Sequence, residues 1–160
     1  MDNALDTGVK NARNVGHFIF GSKSFFELAT ILSNRRKISG GGNVFLIDEY
    51  FQNHPGDLGN LPCETGDQVF YVSTSEEPTI EVINHLVAQV SAQHNSEISA
   101  VVGIGGGITL DTAKAVSNLM TNGGRAEDYQ GWDLVKFAGT YKIGVPTISG
   151  TGSEATRTCV

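Results

Sequence analysis

A chain of 160 residues, 39% hydrophobic and 18% charged, has the composition of one ordinary globular domain with room for a substantial core. Its net charge of −6 leaves no basic stripe to displace counterions from phosphates, which excludes the nucleic-acid-binding class. No stretch approaches the roughly 20 apolar residues of a bilayer span, so no membrane partner is expected either.

The opening MDNALDTGVKNAR is polar and lacks an apolar signal core, so residues 1–15 read as a loosely ordered N-terminus. The expected compartment is the cytoplasm, and residues 16–160 form the expected domain. HFIFG (17–21) predicts a short strand. SKSFFELATILSNRRK (22–37) predicts a helix, with Phe25, Leu28 and Leu32 near helical spacing and a cationic end suited to a helix C-terminus. Gly40, Gly41 and Gly42 read as a flexible connector; they precede a strand, so they make no phosphate turn. NVFLIDEY (43–50) predicts a strand, apolar at its centre as a parallel sheet requires.

A turn-rich stretch with Pro55, Gly56, Gly59 and Pro62 leads to a predicted strand at QVFYV (68–72). Residues 73–95 predict a helix with Pro78 in its first turn and Ile80, Ile83, Val87 and Val90 inward. A buried strand then runs into Gly103, Gly105, Gly106 and Gly107, followed by a helix over roughly 109–120 and a break at Asn122-Gly123-Gly124. YKIGVPT (141–147) predicts a last strand, which ends in SGTGSEAT. Strands alternating with helices through short joins imply an α/β fold, a Rossmann-like and largely parallel sheet wrapped on both faces.

AVVGIGGGITLDTAK (100–114) carries the most chemical information. A strand, a turn without side chains and a helix N-terminus make an anion site: the glycines admit a pyrophosphate to the backbone, and unpaired first-turn N–H groups face it. The spacing is not the common dinucleotide fingerprint, because Ile108 stands where G-x-G-x-x-G needs glycine. No Gly-Lys-Ser/Thr follows, so the P-loop pattern fails too. Glu127 and Asp128 lie about 20 residues beyond the glycines, but no predicted strand supports them as ribose-binding acids.

Asp48 ends a predicted strand and has two readings. It accepts hydrogen bonds from adenosine-ribose hydroxyls, repelling a 2′-phosphate and favouring NAD over NADP, or it is a solvated acid opening a turn. Asp111 also has two. It complements the helix macrodipole and pairs with Lys114, or it contacts the cofactor's ribose or polar groups behind it. Thr147, Ser149, Thr151 and Ser153 add hydroxyls to a second glycine turn; Thr151 or Ser153 could equally cap a following helix. Ligands of such sheets bind at the strands' C-terminal edge, where both turns are expected.

Other chemistry lacks support. His17, His54, His85 and His94 share no ligand spacing, and no acid–histidine cluster suggests a metal. Cys63 and Cys159 read as idle thiols rather than a disulfide. No G-x-S-x-G elbow is present.

GGGITLDTAKA resembles the G-G-G-S-x-x-D-x-A-K-A motif of the iron-containing (group III) alcohol dehydrogenases. PTISGTGSEAT resembles their P-T-x-x-G-T-G-S-E segment, LIDEYF their early strand ending in Asp, and EEPTIEVI a stretch usually opened by Asn-Pro-Thr. YQGWDLVK (129–136) with IGVPTISGTGSEATRT is most similar to the 3-deoxy-manno-octulosonate 8-oxidase branch, which oxidises the terminal alcohol of an acidic sugar.

The resemblance implies that Asp48 holds the adenosine ribose and that Gly106 and Gly107, with the backbone of Ile108, cradle the pyrophosphate of NAD. Asp111, Thr147 and Thr151 would then follow the nicotinamide half, and Gly105 and Ser149 complete the expected cofactor-binding set. Ile108 replaces the usual serine and Glu77 the usual asparagine. Family members continue into a helical domain whose Asp and His ligands bind iron or zinc, a Lewis acid for the substrate oxygen. Those ligands would lie beyond Val160, so this chain is expected to be a truncated dinucleotide-binding part, inactive alone. A small-molecule alcohol or sugar acid is the implied substrate, and a homodimer is implied by analogy. Two other readings remain: a non-catalytic nucleotide-binding module, and a dehydroquinate synthase-like lyase using NAD transiently.

Overall fold

The computed structural model describes residues 15–93, 97–156 and 158–159; the loosely ordered N-terminus expected over 1–15 lies almost wholly outside them. Four parallel strands form one sheet in the order β2-β1-β3-β4: β1 Gly42–Asp48, β2 Gln68–Val72, β3 Ile98–Gly105 and β4 Lys142–Pro146. Helices α1 Glu27–Ser39, α4 Ile80–Gln93 and α5 Gly107–Asn122 cover it, with single helical turns α2 Tyr50–Asn53 and α3 Pro55–Leu58 after β1.

The alternation of β1 assigns its two faces. Phe45 and Ile47 pack with Leu28 and Leu32 of α1, and with Ala100, Val102 and Ile104 of β3. Val44 and Leu46 face the other way, onto Leu86 and Val90 of α4 and Ala113 and Val116 of α5. Side chains on successive strand residues point to opposite faces, so a strand apolar at every position demands helices on both. Each such fully buried aliphatic or aromatic side chain contributes about 1.5–3 kcal/mol relative to exposure.

Several sequence expectations need correction. HFIFG forms no strand: residues 17–20 pair with no ladder among the described residues, and Phe18 and Phe20 are exposed. Apolar content suggests a strand, but only a hydrogen-bonded neighbour makes one. The glycine triplet is not a flexible connector. Gly40 closes α1 in a left-handed conformation (φ 75°) with its N–H donating to the Arg36 carbonyl at 2.7 Å, and Gly42 already opens β1. Gly41 runs so close to the Glu97 carbonyl that a Cβ there would lie 1.5 Å from the oxygen.

Pro78 lies ahead of α4 rather than in its first turn, and Thr79 Oγ1 accepts the Val82 N–H at 3.3 Å. Leu86, absent from the predicted inward set, is buried, while Ile80 is only partly so. Helix α5 begins two residues earlier than its apolar pattern suggested, because Gly107 and Ile108 already have helical geometry. Both cysteines are free thiols. No described helix is long and apolar enough to cross a membrane.

Candidate functional site

The chain leaves β1 for one side of the sheet and β3 for the other, so the C-terminal ends of these two neighbours bound a topological switch point. Asp48 ends β1, and Gly105 ends β3 beside it. A Cβ on Gly105 would lie 3.0 Å from that of Asp48 and 2.6 Å from Thr109 Oγ1, so only glycine lets the three backbones converge.

The four glycines divide their work. Gly103 sits inside β3, where a Cβ would meet the Ala113 Cβ at 2.8 Å; it brings α5 down onto the sheet and is no part of the turn. Gly106 is the N-cap of α5, in extended conformation and with no side-chain cap. The first-turn amides of Gly107, Ile108 and Thr109 are therefore the helix's orphan donors, with the positive end of its dipole behind them. A Cβ on Gly106 would have Ile148 Cδ1, at 3.8 Å, as its nearest neighbour, so the space before this N-terminus is open.

The second turn stands beside the first. β3 and β4 pair with Gly105 opposite Pro146, and the Thr147 N–H donates to the Gly105 carbonyl at 3.0 Å. Thr151 folds back over the helix start, its Cγ2 2.9 Å from where a Gly107 Cβ would be. The Ser153 N–H donates to Thr151 Oγ1 at 3.3 Å. No helix follows this turn among the described residues, so the hydroxyls are not helix caps. Ser149 is exposed on the turn between Thr147 and Thr151. The fold thus gathers Asp48, Gly105–Gly107, Ile108, Thr147, Ser149 and Thr151 at one sheet edge.

Both readings of Asp48 retain support. Its Oδ1 accepts the Tyr50 N–H at 3.0 Å and the Thr74 hydroxyl at 3.4 Å, while the residue stays partly exposed. Asp111 lies in the second turn of α5, which removes it from the first-turn amides where the dipole acts most strongly. It pairs with the Lys114 ammonium at 2.6 Å, both side chains being mostly buried. Lys114 also donates to Thr156 Oγ1 at 3.0 Å, to the Thr156 carbonyl at 3.5 Å and to the Thr158 carbonyl. Pairing with Asp111 was legible from the i,i+3 spacing; the tail acceptors were not. Beside this group, burial pushes the Cys159 thiol up, with the Lys114 charge pulling in the opposite direction.

Glu127 and Asp128 belong elsewhere. They lie in the 3-10 turn Ala126–Tyr129, where Asp128 accepts the Arg125 N–H at 2.8 Å. Arg125, then Asn84, hydrogen-bond the Glu127 carboxylate and hold it down at about 2. Among the described residues no group of three or more His, Cys, Asp or Glu side chains could hold a metal ion.

The chain is similar to several known proteins. NAD-dependent methanol dehydrogenase of Bacillus methanolicus is 30% identical over 132 residues, 81% of this chain and 34% of that enzyme. Sulfoacetaldehyde reductase of Bilophila wadsworthia is 38% identical over 90 residues, 56% of this chain and 22% of that one. The crystal structure of sulfoacetaldehyde reductase from Bifidobacterium kashiwanohense in complex with NAD+ shares the fold with a TM-score of 0.67 at 22% identity, over 85% of this chain and 35% of that one. An iron-containing alcohol dehydrogenase from Thermotoga maritima gives 0.57 at 26% identity, over 81% and 36% of the respective chains. The chain therefore spans about a third or less of the relatives it matches. The sequence profile described as iron-containing alcohol dehydrogenase matches residues 17–160, and the chain belongs to that family.

Proposed function

We propose that this chain is the dinucleotide-binding part of an NAD-linked oxidoreductase that interconverts a small alcohol and its carbonyl compound. The observation that carries the reading is the uncapped, glycine-bounded start of α5 opening into free space beside the 147–151 turn. A pyrophosphate suits it: the donors are backbone amides, the local dipole is positive, and Gly106 puts no side chain into the space before them. Bound there, NAD would supply the hydride acceptor.

In this reading Gly106, Gly107 and the backbone of Ile108 hold the pyrophosphate. Asp48 accepts hydrogen bonds from the adenosine ribose and disfavours a 2′-phosphate. Thr147, Ser149 and Thr151 border the path to the nicotinamide, and Asp111 acts from behind, through Lys114. The described residues do not fit an iron or zinc ion, so no step is assigned to a metal on this chain. The finer substrate reading, the 8-hydroxyl of 3-deoxy-manno-octulosonate, rests on the likeness of YQGWDLVK (129–136), as does a sugar-acid substrate class. A cytoplasmic location and a homodimer belong to the same proposal.

Gly106→Val tests it. The extended backbone (φ −82°, ψ −168°) accepts a β-branched residue, and its Cβ would meet nothing nearer than Ile148 Cδ1 at 3.8 Å. Calorimetric titration should show NAD+ binding to the wild-type chain and at least about a tenfold loss in the variant, at unchanged melting temperature. Equal affinities would remove the helix start from the site.

A further inference from the structure

The buried Lys114 carries a consequence beyond its salt bridge. An ammonium has three protons and no acceptor, and burying it is costly unless all three are taken up. Only 7% of this side chain is exposed. Asp111 balances the charge at 2.6 Å without a hydrogen bond; the acceptors, Thr156 Oγ1 and the carbonyls of Thr156 and Thr158, all come from the segment after the second glycine turn. Withdrawal of that segment would leave the buried ammonium beside Asp111 but without any of its hydrogen-bond acceptors, so the lysine and the segment hold each other. The same segment carries Thr151, whose side chain lies against Gly107 at the helix start. The position of the second turn over the first is therefore tied to one lysine two turns along α5.

We infer that Lys114 is a positioning residue for dinucleotide binding, a clasp between α5 and the segment bearing Thr151, Thr156 and Thr158 that sets the gap between the two glycine turns. This rests on the dinucleotide reading of the site. The clasp acts on the half bordered by Thr147–Thr151. Asp48, on β1, lies outside its reach and is held by Tyr50 and Thr74 instead. Loss of the clasp therefore weakens a ligand spanning both turns and spares one confined to Asp48 and the helix start.

The test compares NAD+ with AMP on the 160-residue chain and on Lys114→Met, with hydrogen exchange over residues 151–156 as the second readout. Lys114→Met should lose about tenfold in NAD+ affinity, the equivalent of one charge-assisted hydrogen bond, with AMP affinity within about twofold of wild type. Exchange in 151–156 should accelerate. A general loss of stability would weaken both ligands together and overturn the clasp, as would unchanged NAD+ affinity. If Lys114→Met does not fold, Thr156→Val decides: it removes one acceptor from an exposed residue, and an unchanged NAD+-to-AMP ratio overturns the inference. A wild-type chain that binds AMP but not NAD+ also overturns it. Failure to bind either ligand removes the dinucleotide reading itself.

Discussion

Asp48 combines an observed role in a turn with the proposed one at the adenosine ribose. One carboxylate oxygen accepts the Tyr50 amide and the Thr74 hydroxyl, fixing the turn out of β1. Its neighbour across the sheet edge is Gly105, whose missing side chain lets the ends of β1 and β3 approach. Asp48→Asn keeps an oxygen for the turn and removes the charge. NAD+ affinity should fall about tenfold while NADP+ loses less, narrowing the preference between them. Parallel titrations with the two dinucleotides check this; an unchanged ratio would leave Asp48 only its turn. Thr109 marks the limit of reading hydroxyls as ligands: it is fully buried under Gly105, so it packs and does not face the open site.

At the scale of elements, the join between α1, β1 and the segment before β2 depends on Asp67. Its side chain is fully buried, pairs with Arg36 of α1, and accepts the Asn43 N–H at 2.7 Å, Asn43 Nδ2 at 3.2 Å and the Glu64 N–H at 2.9 Å. Its partners on α1 and β1 lie 31 and 24 residues away, which is why no local pattern announced it. Asp67→Ala leaves the Asn43 and Glu64 backbone N–H groups without their acceptor and the Arg36 guanidinium with only the exposed Glu64 carboxylate at 2.9 Å. Breaking a buried pair in this way costs about 3 kcal/mol, measurable by urea unfolding. Alanine destabilising by only a few tenths of a kcal/mol, as at a surface ion pair, would remove this role.

For the whole molecule, the separation of binding from chemistry is the testable feature. The described residues include the uncapped start of α5, proposed as the cofactor cradle, and no group of three or more His, Cys, Asp or Glu that could hold a metal ion. With NAD+, a panel of primary alcohols and added ferrous or zinc ions, the purified chain should form no NADH above the protein-free control. Turnover by this polypeptide alone would show that it carries the catalytic groups itself. Binding without turnover would agree with a division of labour between this fold and residues it does not contain.

The sequence by itself determined the α/β class, three strands of the sheet to within two residues at either end, the glycine-bounded start of α5 to within two residues and the pairing of Asp111 with Lys114. These features are local: an unbroken apolar strand, a run of glycines and an i,i+3 spacing each impose their geometry on neighbours along the chain. Tertiary structure decided the rest. It paired no strand with HFIFG, put Gly103 into helix–strand packing instead of the turn, and turned Gly40–Gly42 from a connector into a helix cap and a close backbone passage. It also set the two glycine turns side by side and gave Lys114 its acceptors, 42 and 44 residues away. Ladder pairing, close approach and the neutralisation of a buried charge are relations between distant segments, and only the folded chain supplies the second partner.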